Sequence, residues 1–156
     1  MVVLVSIPRQ KYRSIRAHLF KDWKEQGCFL FVDTLLTGGV INLCVKRVHF
    51  VKPDKWDYQS SFHLELKDKE KVKIMLMARK DSYDLIECHS HCSTGVAKFS
   101  PSDKYGLEEF VKYVWWKLPG KIYGALVWTE NDVSGQVWLP KDDLPLPIRE
   151  IRITAK

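Results

Sequence analysis

The sequence predicts a mixed α/β (α+β) protein: one domain over residues 1–156, built on a single mixed β-sheet with about three helices. Three observations predict it. Short β-branched and aromatic runs alternate with longer amphipathic segments along the chain. The 156 residues, 46% of them hydrophobic, suffice for one full core. No repeat and no Gly/Ser- or Pro-rich linker divides them.

Val2 to Ile7 is a β-branched run and reads as the first strand. Pro8 can open a helix that runs on through "KYRSIRAHLFKDWKE", with Ile15, Leu19, Phe20 and Trp23 on one side. "CFLFVDTLL" is a buried strand ending at Gly38-Gly39, and "VINLCVKRVHFV" is its hairpin partner. Pro53 to Ser60 is polar and aromatic and reads as a loop; "FHLELK" alternates and reads as a strand. Asp68 to Lys80 is a helix with Val72, Met75, Leu76 and Ala78 inward. "YDLIECHSH" is a strand, Pro101 to Leu118 a helix, and "YGALVWT", "QVWLP" and "IREIRIT" are three further strands.

Composition excludes several classes. No apolar run approaches the ~18 residues that span a bilayer, and the opening "MVVLVSIPRQKYR" has the reverse polarity of a signal peptide. A cytoplasmic protein is expected, with no membrane partner. Cys28, Cys44, Cys88 and Cys92 form no C-x-x-C pair, so reduced thiols are expected. The net charge of +6 is spread among interspersed acids and bases. Only Arg9, Arg13 and Arg16 share a basic helical face, and no nucleic-acid motif accompanies them. That face reads as solvated. His49 and His63 lack motif partners, and of Trp115 and Trp116 at least one reads as core.

The informative stretch is "ECHSHCSTGVAKFSPSDKYGLEEF", Glu87 to Phe110. Side chains alternate along a strand, so His89 and His91 project to one side with Glu87, while Cys88, Ser90 and Cys92 point away. This opposes a structural Cys/His zinc. Ser100-Pro101-Ser102-Asp103 carries the residues of a helix N-terminus: Ser as N-cap, Pro at N1, an acid at N3. Two imidazoles followed by a carboxylate in a first helical turn can offer N, N and O to one zinc, leaving a position for water. Ser100 can both cap the helix and face a developing oxyanion, two roles that compete for one oxygen. A non-ligand carboxylate must serve as general base. Glu87 and Glu25, the latter where the first helix gives way to a core strand, are both candidates, and spacing does not choose between them.

His89-Ser90-His91, Ser100 and Asp103 resemble the JAMM (JAB/MPN) metalloprotease motif H-x-H-x7-S-x-x-D, and "KEQGCFLF" is similar to that family's upstream glutamate. The resemblance covers roughly Val2 to Trp138 and is strongest to compact bacterial JAB proteins encoded beside ubiquitin-activating-like and conjugating-like enzymes. It implies a JAB/MPN domain with a cytidine-deaminase-like layout. It also implies a zinc isopeptidase that uses metal-activated water to release a ubiquitin-like protein from conjugates or to process its precursor. His89, His91 and Asp103 would hold Zn²⁺, Glu25 would be the acid/base, and Ser100 would stabilise the tetrahedral intermediate. The ubiquitin-like tail would lie as an extended strand beside the site.

Two departures accompany the likeness. Cys92 to Phe99 is one residue longer than the motif's loop, and Cys92 stands where the family commonly has proline. The extra residue is inexpensive in closure entropy, and Cys92 suggests oxidation sensitivity. A non-catalytic MPN-like scaffold or ubiquitin-like-binding module is the alternative from another class. A small-peptide or amino-acid-releasing hydrolase of sulfur-carrier metabolism is a third. H-E-x-x-H, the H-x-E deaminase signature and a nucleophile elbow are absent.

Overall fold

The structure is a computed structural model describing residues 1–155. Seven strands close into a barrel in the order β1-β3-β2-β6-β7-β8-β9, and β4-β5 form a separate two-stranded sheet. The ranges are β1 Val2–Pro8, α1 Arg9–Leu19, β2 Gly27–Thr37, β3 Val40–Phe50, β4 Trp56–Gln59, β5 Leu64–Leu66 and α2 Asp68–Lys80. They continue with β6 Asp84–Ser90, α3 Pro101–Lys117, β7 Tyr123–Trp128, β8 Val133–Trp138 and β9 Leu146–Thr154.

Closure overturns the expected α/β (α+β) arrangement, in which a mixed sheet is flanked by helices in the JAB/MPN layout. The last strand returns to the first: β9 pairs in parallel with β1, from Val3↔Ile148 to Pro8↔Thr154. A closed sheet must tilt and bend, and two glycines let it do so. A Cβ at Gly135 would stand 2.2 Å from the Ala125 carbonyl oxygen, and one at Gly124 would meet Ile86 and Val137 at 3.1 and 3.2 Å. Register shifts at Phe31/Val32 and at Val3/Leu4 mark two further irregularities where strands bend.

Period-two alternation divides the strands' side chains between two cores. Val5, Leu30, Leu43, Ile86, Leu126, Trp128 and Val137 meet inside the barrel, joined by Ile15 and Leu19 of α1. Phe29, Phe31, Leu85, Tyr123 and Trp138 point outward and are covered by Ile74, Met75 and Ala78 of α2 and by Leu107, Val111 and Val114 of α3. Each such side chain contributes roughly 1.5–3 kcal/mol on burial. The hairpin expected at Gly38-Gly39 forms, with both glycines at positive φ (57° and 79°) between paired Thr37 and Val40.

Three smaller expectations change. Trp23 lies beyond the end of α1 and is 67% exposed. The stretch Pro53 to Ser60 holds a 3₁₀ turn and β4 rather than an unstructured loop. Val72 and Leu76 face solvent, because α2 turns Glu70 inward, where its carboxylate meets His49 Nε2 at 3.0 Å. No helix among the described residues is long and apolar enough to cross a membrane.

Candidate metal centre

β6 lies between β2 and β7, so its outward side chains face the space under α2 and α3. His89 is one of them. His91 follows the strand's end, where its N–H donates to the Trp128 carbonyl at 2.7 Å and its own carbonyl accepts from the Ser93 N–H at 2.8 Å. The alternation expected from "ECHSH" is realised: Glu87 and His89 line the outer cleft, and Cys88 packs inside the barrel.

The eight-residue loop from Cys92 to Phe99 is tied down along its length. Glu130 N–H donates to the Ser93 carbonyl, Thr129 Oγ1 to Gly95, Ser134 Oγ to Ala97, and the Ala97 N–H reaches Asp132 Oδ2. The extra residue is thus absorbed against the β7–β8 turn. α3 then begins with a reciprocal cap: Asp103 N–H donates to Ser100 Oγ at 3.0 Å, and Ser100 N–H to Asp103 Oδ2 at 2.9 Å. The cap aims Asp103. Because the Ser100 oxygen only accepts in this cap, its own O–H remains available as a donor. The two roles expected to compete therefore use different parts of one hydroxyl.

The result is a tight convergence of three atoms. His89 Nε2 and His91 Nε2 are 3.2 Å apart, and Asp103 Oδ2 lies 3.2 Å from the first and 2.9 Å from the second. A tetrahedral ion with arms of ~2.05 Å holds its ligands about 3.3 Å apart, so the donor set fits the edge of such a site. Protons cannot satisfy the same arrangement fully, since at most one hydrogen can lie between the two facing ring nitrogens.

Glu25 joins them from the other side. Gly27 pairs with His89 across β2 and β6, and Ser90 N–H donates to the Gln26 carbonyl at 3.0 Å, so extending this antiparallel register brings Glu25 alongside His91. Its backbone is pinned by Glu25 N–H to the Ser60 carbonyl and by Gln59 Nε2 to its own carbonyl. The ligand atoms of Glu25, His89 and His91 lie within 4.8 Å of one another, a buried group that could hold a metal ion. Two carboxylates therefore share the imidazole pair. Asp103 makes direct contact with both rings, whereas Glu25, only 4% exposed, has no hydrogen bond to its carboxylate among the described residues.

Burial raises the Glu25 pKa, partly offset by the neighbouring imidazoles. Burial also works against Asp103 ionisation, but hydrogen bonds from His89, His91 and the Ser100 amide outweigh it and hold that carboxyl far below its usual range. His89 shows the reverse balance: burial disfavours its charge, and the hydrogen bond and charge of Asp103, with Glu87 and Glu25, raise its pKa. Glu87, half-buried beside them, is pushed up by desolvation, an effect that the Tyr123 hydroxyl, which donates to Oε1, works against.

Cys92 is no part of the cluster. Its Sγ donates to the Trp23 carbonyl at 2.8 Å, and burial with the charges of Glu25 and Asp22 raises its pKa, which disfavours the thiolate that oxidation and metal ligation need. All four cysteines are free thiols, as expected. Trp115 donates to the Lys121 carbonyl and packs on the outer core, while Trp116 is 70% exposed and does not line the cleft.

A cleft of about 590 Å³ opens from this cluster between α3 and the β4–β5 hairpin. Its lining carries seven carboxyl groups (Glu25, Asp57, Glu65, Asp68, Glu87, Asp103 and Glu109) against one lysine, Lys71, on a chain of net charge +6. By its position between core elements the segment "DKWDYQSSFHLELK" is a candidate part of the tail-binding surface, and it does line the cleft through β4 and β5; what sequence reasoning missed is how Trp56 is seated. Trp56 forms a wall of the cleft, and its ring takes the space above Gly27, where a Cβ would meet Trp56 Cη2 at 2.7 Å. The local signal was Gly27 itself, a glycine at the head of a core strand, which marks a close approach by another group. No protein-family model matches the chain, and no curated protein matches it either.

Proposed function

We propose that the protein is a zinc-dependent isopeptidase that releases a ubiquitin-like protein from conjugates or processes its precursor. The observation that carries this reading is the convergence of two Nε2 atoms and one carboxylate oxygen within 3.2 Å, with the unpaired Glu25 carboxylate beside them at the end of an open cleft. His89, His91 and Asp103 would hold the ion, and two imidazoles with one carboxylate are a donor set that suits zinc. Zinc held there supplies Lewis acidity at the scissile carbonyl and acidifies a neighbouring water.

The remaining work falls to side chains of this chain. Glu25 takes the proton of the attacking water on its carboxylate and delivers it to the leaving amine, and its raised pKa makes it a better base than an exposed carboxylate. Ser100 donates its O–H to the oxyanion while its oxygen stays bonded to the Asp103 amide. The cleft would hold the tail extended: β5 contributes Leu64, Glu65 and Leu66 to its wall and, among the described residues, has a strand partner only in β4. A tail laid along that edge would add a strand by main-chain hydrogen bonds, which favours an extended, small-residue C-terminus over a folded segment. Ubiquitin-activating-like and conjugating-like enzymes would supply such conjugates.

The test is a cleavage assay on ubiquitin-like fusions and conjugates, with metal content measured in parallel. About one zinc per chain, cleavage abolished by a chelator and restored by zinc is the expected result. Cleavage that survives full metal removal overturns the reading. A protein that contains no metal when purified in zinc-supplemented medium would be a scaffold instead.

A further inference from the structure

We propose that the inner end of the cleft, beside His89, is a subsite for a cationic side chain, lysine or arginine, within two residues of the bond that is cut. The inference depends on the isopeptidase reading only for the position of that bond.

Glu87 is the floor of this subsite. It lies on the same face of β6 as His89, two residues away, which is roughly 6.5–7 Å along a strand. Its Oε1 accepts from the Tyr123 hydroxyl, and among the described residues no other donor and no cationic side chain meets that carboxyl. The one lysine on the cleft, Lys71, pairs with Asp68 at 3.5 Å rather than with Glu87. Glu87 is half-buried, and a carboxyl partly withdrawn from water gains from a cation beside it. Among the described residues no lysine or arginine pairs with Glu87, while the cleft that it lines is open to a ligand.

Aromatic rings make the walls. Phe29 sits directly across the strand pair from Glu87. Phe110 packs edge-on against Phe29 and Tyr123 and stacks on Tyr113, with centroids 6.5, 5.7 and 5.6 Å apart. Ring faces attract ammonium and guanidinium groups, and one instance is built in: Lys71 Nζ stands 6.0 Å from the Phe110 centroid. A carboxyl floor under aromatic walls favours a long side chain with an apolar stem and a charged tip. A substrate chain whose scissile carbonyl lies at His89 would present such a side chain to Glu87 from a neighbouring residue.

The experiment compares two peptides, acetyl-Gly-Gly-Xaa-Gly-Gly-amide with Xaa either arginine or its neutral isostere citrulline. Binding to the zinc-loaded protein is measured by calorimetry and by NMR shifts of cleft residues. The arginine peptide should bind at least fivefold tighter, and the preference should fall to about one in Glu87→Gln, with zinc content unchanged. Phe110→Leu, which keeps an apolar wall but removes the ring, should weaken arginine binding more than citrulline binding. Equal affinity for the two peptides, or no binding of the arginine peptide, overturns the subsite without recourse to any variant. If the arginine preference holds and no fusion is cut, the subsite stands and the isopeptidase reading fails. If fusions are cut and the peptides bind equally, the reverse is true.

Discussion

Glu25 and Asp103 both offer a carboxylate to the same pair of imidazoles, and substituting each separately tells ligand from base. Glu25→Gln keeps the shape, so zinc content and thermal stability should stay at wild-type levels while the cleavage rate falls roughly 10²–10⁴-fold. Asp103→Asn should lose the metal itself, because its Oδ2 is the atom in contact with both rings. Elemental analysis and a cleavage assay on the two variants decide the matter, and a Glu25→Gln protein without zinc would reverse the assignment. Much of this cluster was legible in the sequence. The shared face of His89 and His91 follows from the strand period alone, and Asp103 from the cap signature. Spacing alone did not choose between Glu25 and Glu87, and only the family resemblance singled out Glu25. In the structure both lie near His89, and among the described residues Glu87 has a hydrogen bond to its carboxylate whereas Glu25 has none. Trp56 was hidden too, since its position depends on a missing Cβ at Gly27, twenty-nine residues earlier in the chain.

The Ser100 cap closes the first turn of α3 and aims Asp103, the proposed ligand, so stability and metal affinity should change together at this element. Ser100→Ala removes the acceptor for the Asp103 amide and should cost about 1 kcal/mol of unfolding free energy. It should also lower the cleavage rate by roughly 10²–10³-fold if the hydroxyl serves the oxyanion. Urea denaturation and steady-state kinetics separate the two effects, and Ser100→Thr should restore the cap. A cleavage rate unchanged in Ser100→Ala would leave the hydroxyl a capping group only. Helices and strands at this scale were largely legible: α3 from its cap, the β2–β3 hairpin from Gly38-Gly39, β6 from its apolar run. The inward face of α2 was not, because the buried His49–Glu70 pair fixes the helix's rotation against the pattern of its apolar residues.

Barrel closure is a property of the whole chain, and it left only faint marks in the sequence. The β1–β9 pairing joins residues nearly the full chain length apart, and no local periodicity announces such a partner. Gly124 and Gly135 were the available hints, as glycines inside strand runs that mark bends. Gly135→Ala should therefore destabilise the fold by about 3 kcal/mol, since its new Cβ would press on the Ala125 carbonyl rather than on a movable side chain. The candidate metal centre should tie this global stability to pH. Without an ion, Asp103, whose pKa is depressed, stabilises the fold above the ordinary carboxylate pKa near ~3.9, and that contribution is lost as pH falls toward its folded value. His89, whose pKa is raised, stabilises the fold fully below the ordinary imidazole pKa of ~6.5 and loses that contribution as pH rises through its folded value. The metal-free cluster thus contributes most between about pH 4 and 6.5. Zinc needs the same imidazole unprotonated, so its advantage grows where the proton's fades. At a hundredfold excess over Kd, zinc should add about 2.7 kcal/mol, or roughly 5–10 °C in Tm for a chain of this size. Thermal scans with zinc and with a chelator between pH 5.5 and 8 should show that increment widening as pH rises. An increment that is flat, or that narrows toward pH 8, would mean that the ion is held by groups other than these two histidines and their aspartate.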